Sequence, residues 1–123
     1  VVRPKYRECF STLVDGATEL SLRGYNLEND TMDEALQVLL AHCRHVEKLD
    51  LAENRKWKPQ LETFVQRVEP WASSLKTLDL SQTEVFGDVQ LFGRLVHLQR
   101  LRLRHTKVSG DVVGLAPLMK LEL

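Results

Sequence analysis

A Leu-x-Leu pair that recurs four times constrains the fold of this 123-residue chain more than any other sequence feature. Within each pair the apolar residues alternate with polar ones, a pattern typical of a short strand with one buried and one solvated face. One such unit cannot bury its apolar face alone, so we expect the units to stack side by side. The pairs begin at Leu20, Leu49, Leu78 and Leu101, and an apolar residue precedes each by three positions, at Ala17, Val46, Leu75 and Leu98.

The two longer spacings between the pairs, of 29 residues each, leave room for helices. Thr31 and Glu34 form a capping-box pattern that predicts the start of the first helix. Pro59 and Pro70 bracket the second predicted helix. The first apolar face comprises Ala35, Leu36, Leu39, Leu40 and Cys43, and the second comprises Leu61, Phe64, Val65 and Val68.

The last spacing is only 23 residues, and it repeats the pattern Thr-x-Val-x-Gly-Asp-Val from Thr83 and again from Thr106. The Gly-Asp pairs at Gly87/Asp88 and Gly110/Asp111 indicate turns in which the aspartate caps the next half-turn. The later connections are therefore predicted to be short turns.

These units resemble the leucine-rich-repeat family. The first half is similar to ribonuclease-inhibitor-like repeats and the second half to shorter plant-type repeats. The resemblance implies an α/β fold, a leucine-rich-repeat solenoid with a parallel concave β-sheet, and convex helices that thin to short turns toward the C-terminus. The family places an asparagine three residues after the second leucine. Asn54 fits this position, Thr83 and Thr106 replace it with hydroxyl groups, and Tyr25 departs from it.

On this alignment residues 1–123 form a single domain, in which 1–16 are an N-terminal cap or a partial repeat. Strands are expected near 18–23, 47–52, 76–81 and 99–104. Leu121 aligns with Leu98, so the chain is expected to end within a repeat, before the next strand. Because it begins at Val1 rather than methionine, the chain is expected to be a mature, trimmed or partial form of a longer protein.

Composition excludes several classes of function. The 17 basic residues balance the 17 acidic ones, so the net charge gives no general attraction to nucleic acid or anionic membranes. No apolar run approaches the length that spans a bilayer, and the first ten residues lack the apolar stretch of a signal peptide. Cys9 and Cys43 are too few for a disulfide framework and favour two buried thiols in a reducing, intracellular compartment, with a single disulfide between them as the alternative.

No group of residues predicts catalysis. His42, Cys43 and His45 lie close together, but structural zinc needs four ligands and no complementary pair is present in the sequence. The glycines are scattered, so there is no phosphate-binding loop. We therefore expect a non-enzymatic protein without cofactor, metal or small-molecule ligand.

The polar residues flanking the inner leucines are the candidate binding surface, because they project from the concave sheet. We predict that a protein partner contacts this surface through its charged members, with solvated surface as the alternative. Asp50 and Asp79 are expected to form an acidic strip, with Asp79 and Arg102 paired across strands for little net stability. The predicted contact residues are Arg100, Arg102, Arg104, His105, Asp50, Asp79, Lys48, Glu19 and Arg23.

The function expected from these features is a protein–protein interaction module, and the alternative is a structural or assembly subunit of a larger complex. Nucleic acid is disfavoured because the arginine strip is narrow and no aromatic residues are interleaved with it. Trp57 follows the second strand and is expected to be exposed, whereas Trp71 is expected to pack near the convex helices.

Overall fold

The computed structural model describes residues 18–110 and 120–122. These residues form a mixed α/β structure with two parallel sheets and few helices. The predicted N-terminal cap at 1–16 lies outside the described residues. In chain order the elements are β1 (Glu19–Ser21), α1 (Asn29–His42), β2 (Lys48–Asp50), α2 (Leu61–Val68), β3 (Thr77–Asp79), β4 (Phe86–Asp88), β5 (Arg100–Arg102), β6 (Lys107–Ser109) and β7 (Lys120–Glu122).

The main sheet has the strand order β1-β2-β3-β5-β7, and every neighbouring pair in it is parallel. Leu20, Leu49, Leu78 and Leu101 are partners in register, as the alignment of the four Leu-x-Leu pairs predicts. All four are at most 3% exposed, and so are the second leucines of the pairs. Each of these four strands lies within a segment where the sequence predicts one.

The expected ending of the chain before a further strand is wrong. Lys120–Glu122 forms β7, and Leu121 is the register partner of Leu101 rather than the equivalent of Leu98. Leu121 and Leu123 are therefore a fifth Leu-x-Leu pair in the sequence, 20 residues after the fourth. Our alignment kept the spacing of 23 residues and missed that the last connection is three residues shorter.

Helix α1 presents Met32, Ala35, Leu36 and Leu39 to the core, and Leu40 packs at its edge. The predicted apolar face is confirmed, but the predicted capping box is displaced by one turn. The N-cap is Glu28, whose backbone N–H donates to the Thr31 hydroxyl at 2.9 Å. Thr31 is therefore the third residue of the helix rather than its cap.

Helix α2 buries all four of its predicted apolar residues. It continues into a 3-10 turn at Glu69–Trp71, where Pro70 lacks the N–H that an α-helix would need. The prediction that Trp57 is exposed is wrong, because its side chain is 1% exposed and contacts the Phe64 ring edge-to-face at 5.6 Å between centroids. Trp71 is also buried, and its indole N–H donates to the Cys43 carbonyl at 2.8 Å.

A second, two-stranded parallel sheet follows β3 along the chain, and the sequence did not predict it. Strand β4 pairs with β6 so that Gly87 lies beside Val108. After β4, the Asp88 carboxylate accepts a hydrogen bond from the Gln90 N–H at 2.9 Å and caps a 3-10 helix at Val89–Arg94. The predicted short turn and capping aspartate are thus confirmed in this connection, whereas Asp111 lies outside the described residues.

Every strand of the first four units is followed by a residue with left-handed backbone. The residue two positions after the second leucine has φ between +56° and +72° in each unit. Gly24 occupies this position in the first unit, and Glu53, Gln82 and His105 occupy it in the next three. The chain therefore leaves the sheet through the same turn each time.

Asn54 is fully buried beside this turn, as predicted. Its amide nitrogen donates to the carbonyls of Leu22, Leu51 and Ala52 at 2.9–3.2 Å, and its oxygen accepts from the Leu27 N–H at 2.9 Å. One side chain thus joins the turns of two successive units.

Among the described residues, the Thr83 and Thr106 hydroxyls donate to the carbonyl three residues earlier and to no other group, which is that of Leu80 for Thr83 and of Leu103 for Thr106. The prediction that a threonine hydroxyl replaces the asparagine is therefore confirmed for the hydrogen bond within a unit. Among the described residues, neither threonine forms the bond to the preceding unit that Asn54 forms.

Candidate functional site

The residues that flank the inner leucines form one surface of the main sheet, opposite the core, which we call the polar face. Its members alternate in each strand with buried leucines, so they share one side of the sheet. Most of them are exposed or half-buried, and two are buried. The polar face comprises Glu19, Ser21, Arg23, Lys48, Asp50, Ala52, Thr77, Asp79, Ser81, Arg100, Arg102 and Arg104.

Arg23 is the centre of an ion-pair network on this face. Its Nε lies 2.8 Å from Asp50 Oδ2 and its Nη2 lies 2.7 Å from Asp79 Oδ2. Its Nη1 lies 2.6 Å from Glu53 Oε2, so one guanidinium binds three carboxylates. The hydrogen bonds to Asp50 and Glu53 raise the pKa of Arg23 above its ordinary value, and the group therefore stays charged.

The sequence predicts that Asp79 belongs to an acidic strip on this surface. In the structure its side chain is only 8% exposed, so it is not an exposed part of such a strip. Its Oδ1 accepts from the Ser81 N–H at 3.0 Å, and Asp50 likewise accepts from the Ala52 N–H at 3.1 Å. The two aspartates are neighbours in register, and like charges on adjacent strands repel each other. The bonds to Arg23 relieve this repulsion. The two aspartates therefore stabilise the sheet itself, and a partner would have to compete with Arg23 to bind them.

Ala52 is also buried, although it flanks an inner leucine on the side of the sheet opposite the core. The parallel backbone pairing continues past the strands, because Gly24 N–H donates to the Ala52 carbonyl and Glu53 N–H to the Ser81 carbonyl. Ala52 therefore lies between Arg23 and Ser81. Both neighbours have longer side chains than its methyl group, so little of it is left exposed.

The three arginines at β5 differ from one another. Arg100 and Arg104 are exposed, and neither forms an ion pair with any residue that the structure describes. Arg102 is half-buried, and its Nη1 lies 3.9 Å from Asp79 Oδ2. The predicted pair between Asp79 and Arg102 is therefore present, but the bond from Arg23 to Asp79 is much shorter.

At the other side of the sheet, Lys48 and Glu19 form an ion pair of 3.2 Å between side chains that are more than 60% exposed. Such exposed pairs contribute roughly 0–1 kcal/mol to stability. The two side chains neutralise each other's charge but do not hold this part of the surface in one conformation. The two residues are near the predicted partner site but supply no net charge to it.

His105 does not belong to the polar face, although it was predicted to bind the partner. It lies in the left-handed turn after β5 and lines an open depression of about 390 Å³ with Arg55, Gln82, Thr83 and Glu84. The Arg55 guanidinium donates to Gln82 Oε1 at 2.6 Å within this depression. Of the five residues named here, Thr83 alone is buried, and its hydroxyl is directed to the Leu80 carbonyl.

The Cys/His cluster considered from the sequence is spread over the surface and the core. Cys43 is buried, while His42 and His45 are exposed. Within residues 18–110 and 120–122, no three His, Cys, Asp or Glu side chains are grouped to hold a metal ion. In the same residues, no helix combines the length and apolarity required to cross a membrane.

The bridging role of Arg23 is the functional feature that sequence reasoning missed. The alignment of the Leu-x-Leu pairs places Arg23 next to Ala52 along the sheet and gives no indication of its bonds to the aspartates. The available signal was the pair of equivalent aspartates on adjacent strands, because aspartates side by side on strands about 4.8 Å apart repel each other unless a cation lies nearby.

Comparison with models of known protein families and with curated protein sequences finds no match to this chain.

Proposed function

We propose that this chain is a non-enzymatic protein-interaction module, built as a leucine-rich-repeat solenoid, that binds a protein partner through the polar face on its concave side. The observation that carries the proposal is the arrangement of that face. It is a row of parallel strands in one register, with side chains presented at regular intervals.

Three features support the assignment to this kind of repeat. The strand leucines are in register, the same left-handed turn follows β1, β2, β3 and β5, and the Asn54 side chain joins two successive turns through hydrogen bonds to their backbone. We expect these three features together to make the described units rigid. A rigid surface binds with little loss of conformational freedom, which favours a role in recognition.

Site-specific photocrosslinking tests the use of the polar face. A photoreactive amino acid at Thr77, in the middle of the face, is compared with one at Glu62, an exposed residue of α2. In an extract of the source cells, we expect a discrete adduct from position 77 and none from position 62. Adducts from position 62 alone would place the interface on the helical side and contradict the proposal.

The alternative proposal is a structural subunit of a permanent assembly, and the mass of the native species separates the two. We expect the chain to elute from size-exclusion chromatography with multi-angle light scattering as a monomer that binds its partner reversibly. A stable complex of fixed stoichiometry that survives dilution would favour the structural subunit.

A further inference from the structure

We propose that the partner contributes an acidic, extended polypeptide segment, whose two carboxylates bind Arg100 and Arg104 on the β5 side of the polar face. This inference rests on the proposed interaction function and names the chemistry of the partner.

The charges of the polar face are segregated between its two sides. The acids near β1, β2 and β3 already have cationic partners, since Asp50, Glu53 and Asp79 are bound by Arg23. Arg100 and Arg104 have no such partner among the described residues. The side of the face at β5 therefore carries the positive charge that the neutral chain as a whole does not have.

The neighbours of these two arginines along the sheet are uncharged or basic, so they do not offset the positive charge. Arg100 is in register with Thr77 on one side and with Lys120 on the other. The Arg104 N–H donates to the Ser81 hydroxyl at 3.2 Å, so its neighbour on that side is also uncharged. Arg102 differs from both, because it is close to Asp79 and in register with Glu122.

The spacing of the two arginines indicates the form of the ligand. Arg104 lies two residues past the end of β5, but the parallel pairing continues to it, because the Gln82 N–H donates to the Arg104 carbonyl. Residues four apart along nearly extended backbone are about 13 Å apart, so an extended partner segment matches the two arginines with carboxylates four residues apart. A guanidinium can bind a carboxylate with two parallel hydrogen bonds. An acidic strand lying along β5 would thus form two such pairs.

A polypeptide fits this surface better than a nucleic acid or an anionic membrane. Those ligands present phosphates over a long stretch, and on this face they would also cover Glu19 and the carboxylates around Arg23. Like charges opposed at an interface are strongly unfavourable. The polar face also offers no aromatic side chain on which a base could stack.

The test is an NMR titration of the ¹⁵N-labelled chain with a short serine/threonine peptide that carries two glutamates four positions apart. We expect saturable shifts in the Arg100 and Arg104 side-chain resonances and in the β5 amides, reduced by added salt. A peptide of the same composition with adjacent glutamates should bind at least about tenfold more weakly, since it can satisfy only one arginine.

Two charge-matched variants provide the controls. The double variant Arg100→Glu/Arg104→Glu should lose the shifts, whereas Arg44→Glu/Lys58→Glu has the same net charge but alters exposed residues outside the polar face and should retain them. Amide spectra with the parent's dispersion would establish that both variants are folded.

Several results would overturn the inference. These are the absence of saturable shifts at millimolar peptide, equal affinity for the two peptides, loss of binding in both variants, and stronger binding of a single-stranded oligonucleotide or an anionic vesicle to Arg100 and Arg104. The crosslinking at Thr77 does not depend on these charges. A partner captured there, together with a negative titration, would contradict the acidic ligand and leave the proposed function intact.

Discussion

Arg23 Nη2 lies 2.7 Å from Asp79 Oδ2, although the two residues are 56 positions apart in the sequence and β2 lies between their strands. This bond links the first unit directly to the third. In a parallel sheet most side-chain contacts join adjacent strands. The network around Arg23 therefore adds a longer connection across the polar face.

We expect Arg23→Lys to destabilise the chain although it keeps the charge. An ammonium group cannot match the planar fork that binds Asp50, Glu53 and Asp79 together. The loss should be about 1–2 kcal/mol in a urea titration, since Asp79 is nearly buried and the other two acids are exposed enough to be solvated. In a chain that already carries Asp79→Asn, Arg23→Lys should lower the free energy of unfolding by a smaller amount. An equal loss with and without Asp79→Asn would refute the coupling between Arg23 and Asp79.

Asn54→Ala should lower the free energy of unfolding by about 1–3 kcal/mol, because it leaves the Leu27 N–H and several carbonyls without their buried partner. Thr83→Ala removes a single hydrogen bond and should cost less. Chemical denaturation of the two variants side by side measures this difference. A silent Asn54→Ala variant would mean that the turn does not depend on the amide.

Leu78→Asp should abolish cooperative folding, because a carboxylate would replace a fully buried side chain at the centre of the sheet. The matched control is Thr77→Asp, one residue away on the polar face and in register with Lys48 and Arg100. We expect the control to retain the parent's circular dichroism and thermal transition. A cooperative melt of Leu78→Asp near that of the parent would contradict the observed register.

Gly87→Ala should cost more stability than Gly24→Ala, although both glycines have positive φ. A Cβ at Gly87 would lie 2.9 Å from Leu61 Cβ, whereas a Cβ at Gly24 meets nothing within 4 Å. We expect a loss of about 1 kcal/mol at Gly24 from backbone strain alone. At Gly87 the close contact with α2 should increase this loss of stability. Equal melting temperatures of the two variants would show that β4 can shift away from α2 at no cost.

Most of the strand register followed from the sequence, because the Leu-x-Leu pairs are regular and burial of their leucines depends on local alternation. The helical faces were equally predictable from apolar spacing. Strand β7 was missed because its connection is shorter than the preceding one, and spacing alone did not reveal the change. Strands β4 and β6 were missed because they are centred on a glycine and a half-buried valine rather than on alternating leucines.

The candidate site was less predictable than the fold. Position in the alignment identified which residues share a face, but not which of them bind each other, because side-chain length and direction decide that. Arg23 reaches past β2 to Asp79, and an alignment that shows only which residues are adjacent does not indicate such a contact. Trp57 was misplaced for a related reason, since a loop residue near a strand gives no sign of packing against Phe64.

The left-handed turns carry a cost that differs among the units. Left-handed backbone costs a residue other than glycine roughly 1–2 kcal/mol. Glu53 offsets part of this cost through its bond to Arg23, and Gln82 through its bond to Arg55. The exposed side chain of His105 forms no hydrogen bond or ion pair with the described residues that would offset it. Stability alone would favour glycine at position 105.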